Sequence, residues 1–365
     1  MFDNGLKLIT MEQVFYSLKV IEISKPTYNA TTVSFTIPKD LLTIFQFHAG
    51  QHLCFKFTIN GKEEERMYSL HNSPFENGVY QITSKIKDTG IVSKYIATSL
   101  KLGDIIKVSE PKGNFVIKPT ENCCKTHYFF AAGSGITPIF SMIKTILLKE
   151  KRSKLNLLYS NRNTTDILFY KELSEWKEKY SERLEITHTL TKRFLDTSQF
   201  ETDVKRGRIN EEMIEVFLNE KPLEILKSEF YICGPGEMNQ MVFDTLTELG
   251  VPAKLISYEY FSSEGITYND VNSSANVELN ALIRNVNYQV ILNENETVLQ
   301  GLKRVGAPVP FSCQNGICGT CKAKLTEGKV EMKSSMALSA NDKKQNYILS
   351  CQSMAQSTNL KIDFE

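Results

Sequence analysis

The sequence predicts a multidomain β and α/β chain. An antiparallel β-barrel is expected over residues 15–118, a parallel α/β domain over 124–262 and a small β domain over 276–365, with a linker at 263–275. Three observations carry this. Short β runs punctuated by Gly and Pro fill the first third, as in a small barrel. From about Cys124 onward, buried-strand runs alternate with helical stretches, as in a parallel sheet. The last third is built around Cys313-Gln-Asn-Gly-Ile-Cys318-Gly-Thr-Cys321, followed thirty residues later by Cys351.

The 365 residues suffice for two or three ordinary cores. Lys+Arg 43 against Asp+Glu 42 leaves almost no net charge, which argues against a nucleic-acid partner. A hydrophobic content of 41% with 23% charged residues is that of a globular protein. Met1–Tyr16 lacks a basic stretch followed by an apolar run, so no secretory signal is expected. No segment approaches the length of apolar residues that a membrane span needs. Eight cysteines, four of them in the pattern above, point to a reducing compartment, the cytoplasm.

Taken in order, residues 1–14 are a polar lead-in. In the barrel region, Leu53, Phe55, Phe57 and Ile59 alternate onto one face of a half-buried strand, and Asn60-Gly61 follows as a tight hairpin turn. Further strands are expected at Thr32–Ile37, Val79–Ile86 and Ile105–Val108. Arg66-Met-Tyr-Ser-Leu70 puts a cation, a ring and a hydroxyl on one extended segment, with Arg66 and Tyr68 on one side and Ser69 on the other. An arginine fork suits a pyrophosphate and a tyrosine ring suits a planar heterocycle. Taken alone, the segment also reads as an ordinary strand with an exposed arginine. Gly90-Ile-Val-Ser93 leads into the pattern Tyr95, Ile96, Leu100, with Ser93 expected to open a helix whose N-terminus attracts anions. His52 has no partner in sequence and reads as structural.

In the α/β region, Tyr128–Ala132 is a buried strand that ends in Gly133-Ser-Gly-Ile-Thr-Pro138. A helix follows with Ile139, Met142, Ile143, Ile146 and Leu147 on one face. Thr137 is expected as its N-cap and Pro138 as its first residue. A glycine loop between strand and helix is a phosphate cradle in principle, although such loops often only turn the chain. Leu155–Tyr159 runs into Ser160-Asn161-Arg162, and Leu184–Leu190 is a third strand. Phe230–Cys233 runs into Gly234-Pro-Gly-Glu-Met238 and a helix that ends at Gly250.

The polar stretch at 263–275 reads as a linker. Val277–Ile283 and Asn287–Leu292 form a hairpin, Thr297–Val305 a short helix and Leu360–Phe364 a last strand. Four soft thiolates at C-x4-C-x2-C…C are the ligand set of a [2Fe–2S] cluster. Zinc sites usually show two C-x2-C pairs, whereas here there is one pair and an offset cysteine. Gly316, Gly319 and Thr320 let the loop pass close to the sulfurs, so that its amides can tune the potential.

Together, Arg66-x-Tyr68-Ser69, Gly90-x-x-Ser93, Gly133-x-Gly135-x-Thr137-Pro138, Cys233-Gly234-Pro235-x-x-Met238 and the cysteine loop resemble the ferredoxin–NADP reductase superfamily with a C-terminal plant-type ferredoxin domain. The nearest resemblance is to the phenylacetyl-CoA epoxidase reductase family. It rests on the run from Tyr159 to Phe169, on Gly207-Arg208-Ile209 and on the domain order. Reductases of ring-hydroxylating dioxygenases, steroid hydroxylases and desaturases share that order.

The resemblance implies a flavin-binding barrel, a nucleotide-binding α/β domain and a β-grasp ferredoxin domain. It puts Arg66 on the FAD pyrophosphate, Tyr68 on the isoalloxazine and Ser69 near flavin N5, with Leu70 in the same cofactor segment. Gly90, Val92 and Ser93 would hold phosphates. Gly133, Gly135, Thr137 and Pro138 would face the pyrophosphate and nicotinamide of NAD(P), with Gly234 and Pro235 beside the nicotinamide. Cys233 would be a small packing residue there rather than a nucleophile, and Glu259-Tyr260-Phe261 would close the domain beside the flavin. Ser69, Thr137, Cys233 and Glu259 thus surround the expected hydride-transfer junction. Ser160 and Arg162 stand where a 2′-phosphate would bind, which favours NADPH over NADH by about 1–3 kcal/mol. The implied cofactors are FAD, a [2Fe–2S] cluster on Cys313, Cys318, Cys321 and Cys351, and NADPH. The implied acceptor is an oxygenase component, with no nucleic acid and no membrane as partner. A redox sensor would keep the cluster but lack a flavin or nucleotide signature. Cys54, Cys123 and Cys124 read as structural.

Overall fold

The computed structural model describes residues 14–76, 78–192, 204–219, 224–261, 276–311, 314, 316, 319–338 and 340–364. The expected linker lies outside the described residues, as do Cys313 and Cys318. The chain divides into two compact units, one of Phe15–Glu264 and one of Gly265–Glu365 with Met1–Val14.

The first unit opens with six antiparallel strands: β1 (Phe15–Thr27), β2 (Ala30–Thr36), β3 (His52–Ile59), β4 (Lys62–Ser69), β5 (Val79–Lys85) and β6 (Ile105–Ser109). Their order is β4-β3-β6-β1-β2-β5, and a bridge between Leu70 and Ile82 brings the two edges together. Asn60 (φ 51°) and Gly61 (φ 74°) make the two-residue turn between β3 and β4, as such a hairpin requires. Leu18, Val20, Phe35, Leu53, Phe55 and Ile82 fill the interior. Helix α1 (Ile91–Thr98) closes one end. It starts two residues earlier than the sequence suggests: Gly90 is the N-cap, and Ser93 sits inside the first turn with its hydroxyl donating to Gly90 O at 3.2 Å.

Next come six parallel strands: β7 (Thr126–Ala132), β8 (Lys154–Asn161), β9 (Leu184–Leu190), β10 (Val204–Arg206), β11 (Ser228–Gly234) and β12 (Ile256–Tyr260). Their order is β10-β9-β8-β7-β11-β12. Helices α2 (Ile136–Lys149), α3 (Tyr170–Lys179), α4 (Glu211–Asn219) and α5 (Gly236–Glu248) connect them. Central strands with side chains such as Phe129, Phe130, Leu157 and Leu158 wholly buried are those of a sheet covered on both faces. Thr137 is not an N-cap. Gly133–Gly135 forms a 3-10 turn that hands directly into α2, so Thr137 lies in the first helical turn and its Oγ1 donates to Ser134 O at 3.0 Å. Pro138 is tolerated there because first-turn amides have no helical acceptor.

Barrel and sheet share a core: Ala30, Ala49, Phe115 and Ile117 pack with Phe129, Ala131, Ile139 and Met142. Polar ties reinforce it. Ser141 Oγ donates to Asn72 O (2.6 Å), Ser73 and Thr145 hydroxyls meet at 2.8 Å, and Lys144 pairs with Glu76 at 2.8 Å.

The second unit has a five-stranded mixed sheet, with β13 (Val277–Ile283), β14 (Val286–Leu292), β15 (Lys322–Glu327), β17 (Tyr347–Leu349) and β19 (Asn359–Phe364) in the order β14-β13-β19-β15-β17. Strands β16 (Val330–Met332) and β18 (Ser353–Ala355) form a separate pair. Helix α6 (Val298–Arg304) buries Val298, Leu299 and Leu302 in the core of this unit, and a Thr297/Gln300 capping box starts it. α7 (Ala340–Lys344) is a short turn of helix. Among the described residues, no helix is long and apolar enough to cross a membrane.

Candidate active site

Strand order reverses on either side of β7, and in such sheets ligands bind at the carboxyl ends of the strands at that point. Both glycine loops lie there. β7 passes through Gly133–Gly135 into α2, and its neighbour β11 ends at Gly234 and passes through Pro235 into α5. The two loop glycines have different reasons to be glycine. A Cβ on Gly135 would lie 2.0 Å from the Cys233 carbonyl oxygen, so the loop packs on β11 at a distance only glycine permits. Gly133 has φ +54°, and a Cβ there would meet nothing within 4 Å. An open left-handed glycine beside the free amides of a helix start is a surface that a phosphate can approach.

Four further positions form a chain from barrel to sheet. Ser69 pairs with His52 across β3 and β4. His52 Nδ1 lies 3.6 Å from Glu259 Oε1, and Glu259 pairs with Cys233 across β11 and β12. All four residues are buried. Asn239 Nδ2 donates to Glu259 O at 2.8 Å and fixes that backbone. Burial, with the neighbouring Glu259 carboxylate, pushes the Cys233 thiol well above its ordinary pKa, so it is a neutral packing group. The structure therefore brings Ser69, Cys233 and Glu259 together, and Thr137 follows the glycine that presses on Cys233. His52 gave no signal in sequence because its partner is on the last strand of the other sheet.

The barrel side fits a flavin unevenly. Tyr68 is half-buried edge-on to Phe55 (5.7 Å), and its hydroxyl accepts from Ser84 Oγ at 3.2 Å; burial raises its pKa. Arg66 is exposed and pairs with Glu64 at 3.1 Å. Leu70 and Val92 are inside the barrel core, and the Leu70 amide donates to Gln51 O, so neither side chain is available to a cofactor. A Cβ on Gly90 would meet Ser93 Oγ at 2.4 Å, which keeps the start of α1 tight.

At the end of β8, Ser160 and Asn161 are buried. Arg162 is exposed. Asp166 raises the Tyr28 phenol pKa, and Arg162 acts against that rise. The Asp166 carboxylate accepts from Asn29 Nδ2 (2.8 Å) and Tyr28 Oη (3.3 Å) on the β1–β2 turn, so it is committed to holding barrel and sheet together.

In the second unit, Cys321 and Cys351 are buried with their sulfurs 3.2 Å apart, close enough for one metal atom to bond both. The loop before Cys321 turns through Gln314 (φ 55°), Gly316 (φ 75°) and Gly319 (φ 67°). Gln352 Nε2 donates to Gln314 O at 3.0 Å and lies 3.5 Å from Cys351 Sγ, where it fits as a hydrogen-bond donor to a ligand sulfur.

Three family models match the chain. Residues 17–117 match the oxidoreductase FAD-binding domain, 129–244 the oxidoreductase NAD-binding domain and 283–356 the 2Fe-2S iron-sulfur cluster binding domain. One of the subunits of the 1,2-phenylacetyl-CoA epoxidase of Escherichia coli K12 is 31% identical over 96% of this chain and 98% of its own length. The ferredoxin reductase component of the 3-ketosteroid-9-alpha-monooxygenase of Rhodococcus rhodochrous is 28% identical over 95% and 96%. Among solved structures, phthalate dioxygenase reductase superposes with a TM-score of 0.57 at 25% identity, over 96% of this chain and 98% of that one.

Proposed function

Because the chain belongs to the oxygenase-linked reductases that join FAD-binding, NAD-binding and 2Fe-2S domains, we propose that it carries electrons from NADPH to an oxygenase of the phenylacetyl-CoA epoxidase kind. The observation that carries the reading is the buried series Ser69, His52, Glu259 and Cys233, which joins the barrel to the glycine loops of the sheet. When bound, FAD accepts a hydride from the reduced nicotinamide and the cluster takes electrons singly.

The residues supply position and surroundings. Gly133 and the first turn of α2 receive the nucleotide phosphates, with Thr137 and Pro138 behind them. Gly135 holds that turn against Cys233, and Gly234 and Pro235 form the opposite wall. Tyr68 and Arg66 hold the flavin at the barrel mouth. Val92 and Ser93 meet its phosphates through the first-turn amides of α1, and Gly90 is the cap that opens that turn. Ser69 and Glu259 face the junction, with His52 fixing Glu259. Ser160 and Arg162 recognise the 2′-phosphate. Cys313, Cys318, Cys321 and Cys351 would hold the cluster, with the Cys321 and Cys351 sulfurs already side by side. A cytoplasmic location suits these roles, since a reducing compartment keeps ligand cysteines from pairing as disulfides. The 28% identity to the steroid monooxygenase reductase component makes a steroid hydroxylase the second acceptor to try.

An anaerobic titration of the FAD- and cluster-loaded protein tests this. Substoichiometric NADPH should bleach both flavin and iron–sulfur absorbance. Preference for NADH would overturn the assignment of Ser160 and Arg162, and absence of any flavin band after reconstitution would overturn the reductase.

A further inference from the structure

At the amino end of the parallel sheet, the end opposite the glycine loops, lies a second cluster of chemical groups. Cys123 Sγ, a ring nitrogen of His127 and a carboxylate oxygen of Glu150 lie within 4.8 Å of one another. Cys123 is partly exposed in the segment between barrel and sheet, whereas His127 and Glu150 are buried at 1% and 2% exposure. His127 Nε2 is 3.2 Å from Glu150 Oε2, and Nδ1 is 3.5 Å from Glu229 Oε2. An imidazole with a carboxylate beside each nitrogen is best satisfied as the imidazolium, which donates from both. Burial alone would lower the His127 pKa, but Cys123, Glu150 and Glu229 raise it.

Glu150 is itself fixed, accepting from Ser153 Oγ (2.6 Å) and from the Thr120 amide (3.1 Å). Lys125 pairs with Glu229, Tyr231 Oη donates to Glu229 at 2.7 Å, and Arg183 and Arg152 bond main-chain carbonyls nearby. The Cys123 thiol is lowered, chiefly by its hydrogen bond with His127. A cation held between the buried Glu150 carboxylate and the partly exposed Glu229 carboxylate, beside a partly exposed sulfur, is the setting of an activated thiolate. As the imidazolium, His127 has no lone pair to offer a metal.

We propose that Cys123 is a modification site, held as a thiolate by His127 and oxidised by hydrogen peroxide. The sulfur attacks one peroxide oxygen, the O–O bond breaks, and Cys123 sulfenic acid and hydroxide result; sulfur is oxidised and peroxide reduced by two electrons. Gly133 follows His127 by six residue steps along β7 and its end, about 20 Å of strand, so this site is remote from the nucleotide loops.

The test is peptide-resolved alkylation of the intact holoprotein with iodoacetamide from pH 5.5 to 9, with the adjacent exposed Cys124 as internal reference. Cys123 should react at least about tenfold faster than Cys124 at pH 6, with a rate that changes little up to pH 8. His127→Gln should remove that difference. Should that variant fail to fold, the wild-type pH profile decides alone. Hydrogen peroxide with dimedone should label Cys123 in preference to Cys124. Equal rates and parallel pH profiles for the two cysteines would overturn the proposal. So would reactivity that appears only after EDTA treatment, which would assign the site to a metal.

Discussion

Replacing Gly135 by alanine tests the heart of the proposed site. The new Cβ would start 2.0 Å from the Cys233 carbonyl oxygen and 2.5 Å from its carbon, both backbone atoms that cannot rotate away. An ordinary contact begins near 3.4 Å, so the turn must move by more than about 1 Å, carrying the start of α2 with it. Overpacking of this kind costs about 1–3 kcal/mol, roughly 2–12 °C in Tm for a unit of this size. A shift of about 1 Å in a positioned reactant costs about a hundredfold in rate. The assay is stopped-flow bleaching of the flavin by NADPH without oxygen, with flavin content and Tm measured in parallel. Flavin content should stay normal, because the barrel is not altered, while the reduction rate falls about a hundredfold. Gly133→Ala is the control: it meets no atom and carries only left-handed strain of about 1–2 kcal/mol, so it should weaken nucleotide affinity more than the rate at saturation. A Gly135→Ala protein with wild-type rate and Tm would refute the claim that this turn sets the geometry.

Removing His52 as alanine should slow flavin reduction by about tenfold with little change in KM, since it fixes Glu259 rather than the nucleotide; single-turnover kinetics check this. Arg162→Ala should raise KM for NADPH by about tenfold and leave NADH unaffected, seen in steady-state kinetics with both coenzymes. Cys351→Ser should abolish the iron–sulfur absorbance while NADPH still bleaches the flavin, since the two cofactors bind different units. Breaking the buried His127–Glu150 pair with Glu150→Gln should cost about 3–5 kcal/mol near pH 5.5. Glu150, held down to about 2, contributes stability above pH 4.5 that is lost as pH falls towards 2. His127, raised, contributes below about pH 6.5, and that part is lost as pH rises through its folded value. The Tm difference from wild type should therefore peak between about pH 4.5 and 6.5.

What could be read from the chain was what local chemistry determines. Asn60-Gly61 required left-handed backbone and formed the turn it suggested. The alternation of Leu53, Phe55 and Phe57 placed these residues inside the barrel. Helix starts were less legible. Ser93 and Thr137 have side chains that favour N-caps, but glycines two or three residues earlier met the geometric demand first, and the hydroxyls bond back to the preceding turn instead. Tertiary partners were invisible. His52 gains its meaning from Glu259, Asp166 from the β1–β2 turn, and Cys123 from a helix end and a strand that fold beside it.

The shared core of barrel and sheet has a consequence for how this chain can be divided. Ala49, Phe115 and Ile117 leave no seam between flavin and nucleotide parts, so the two should protect one another in hydrogen exchange and melt in one transition. The C-terminal unit keeps an apolar core wholly of its own. It is thus the part that recombination could trade for another electron carrier without rebuilding the rest, and a protein engineer could graft it in the same way.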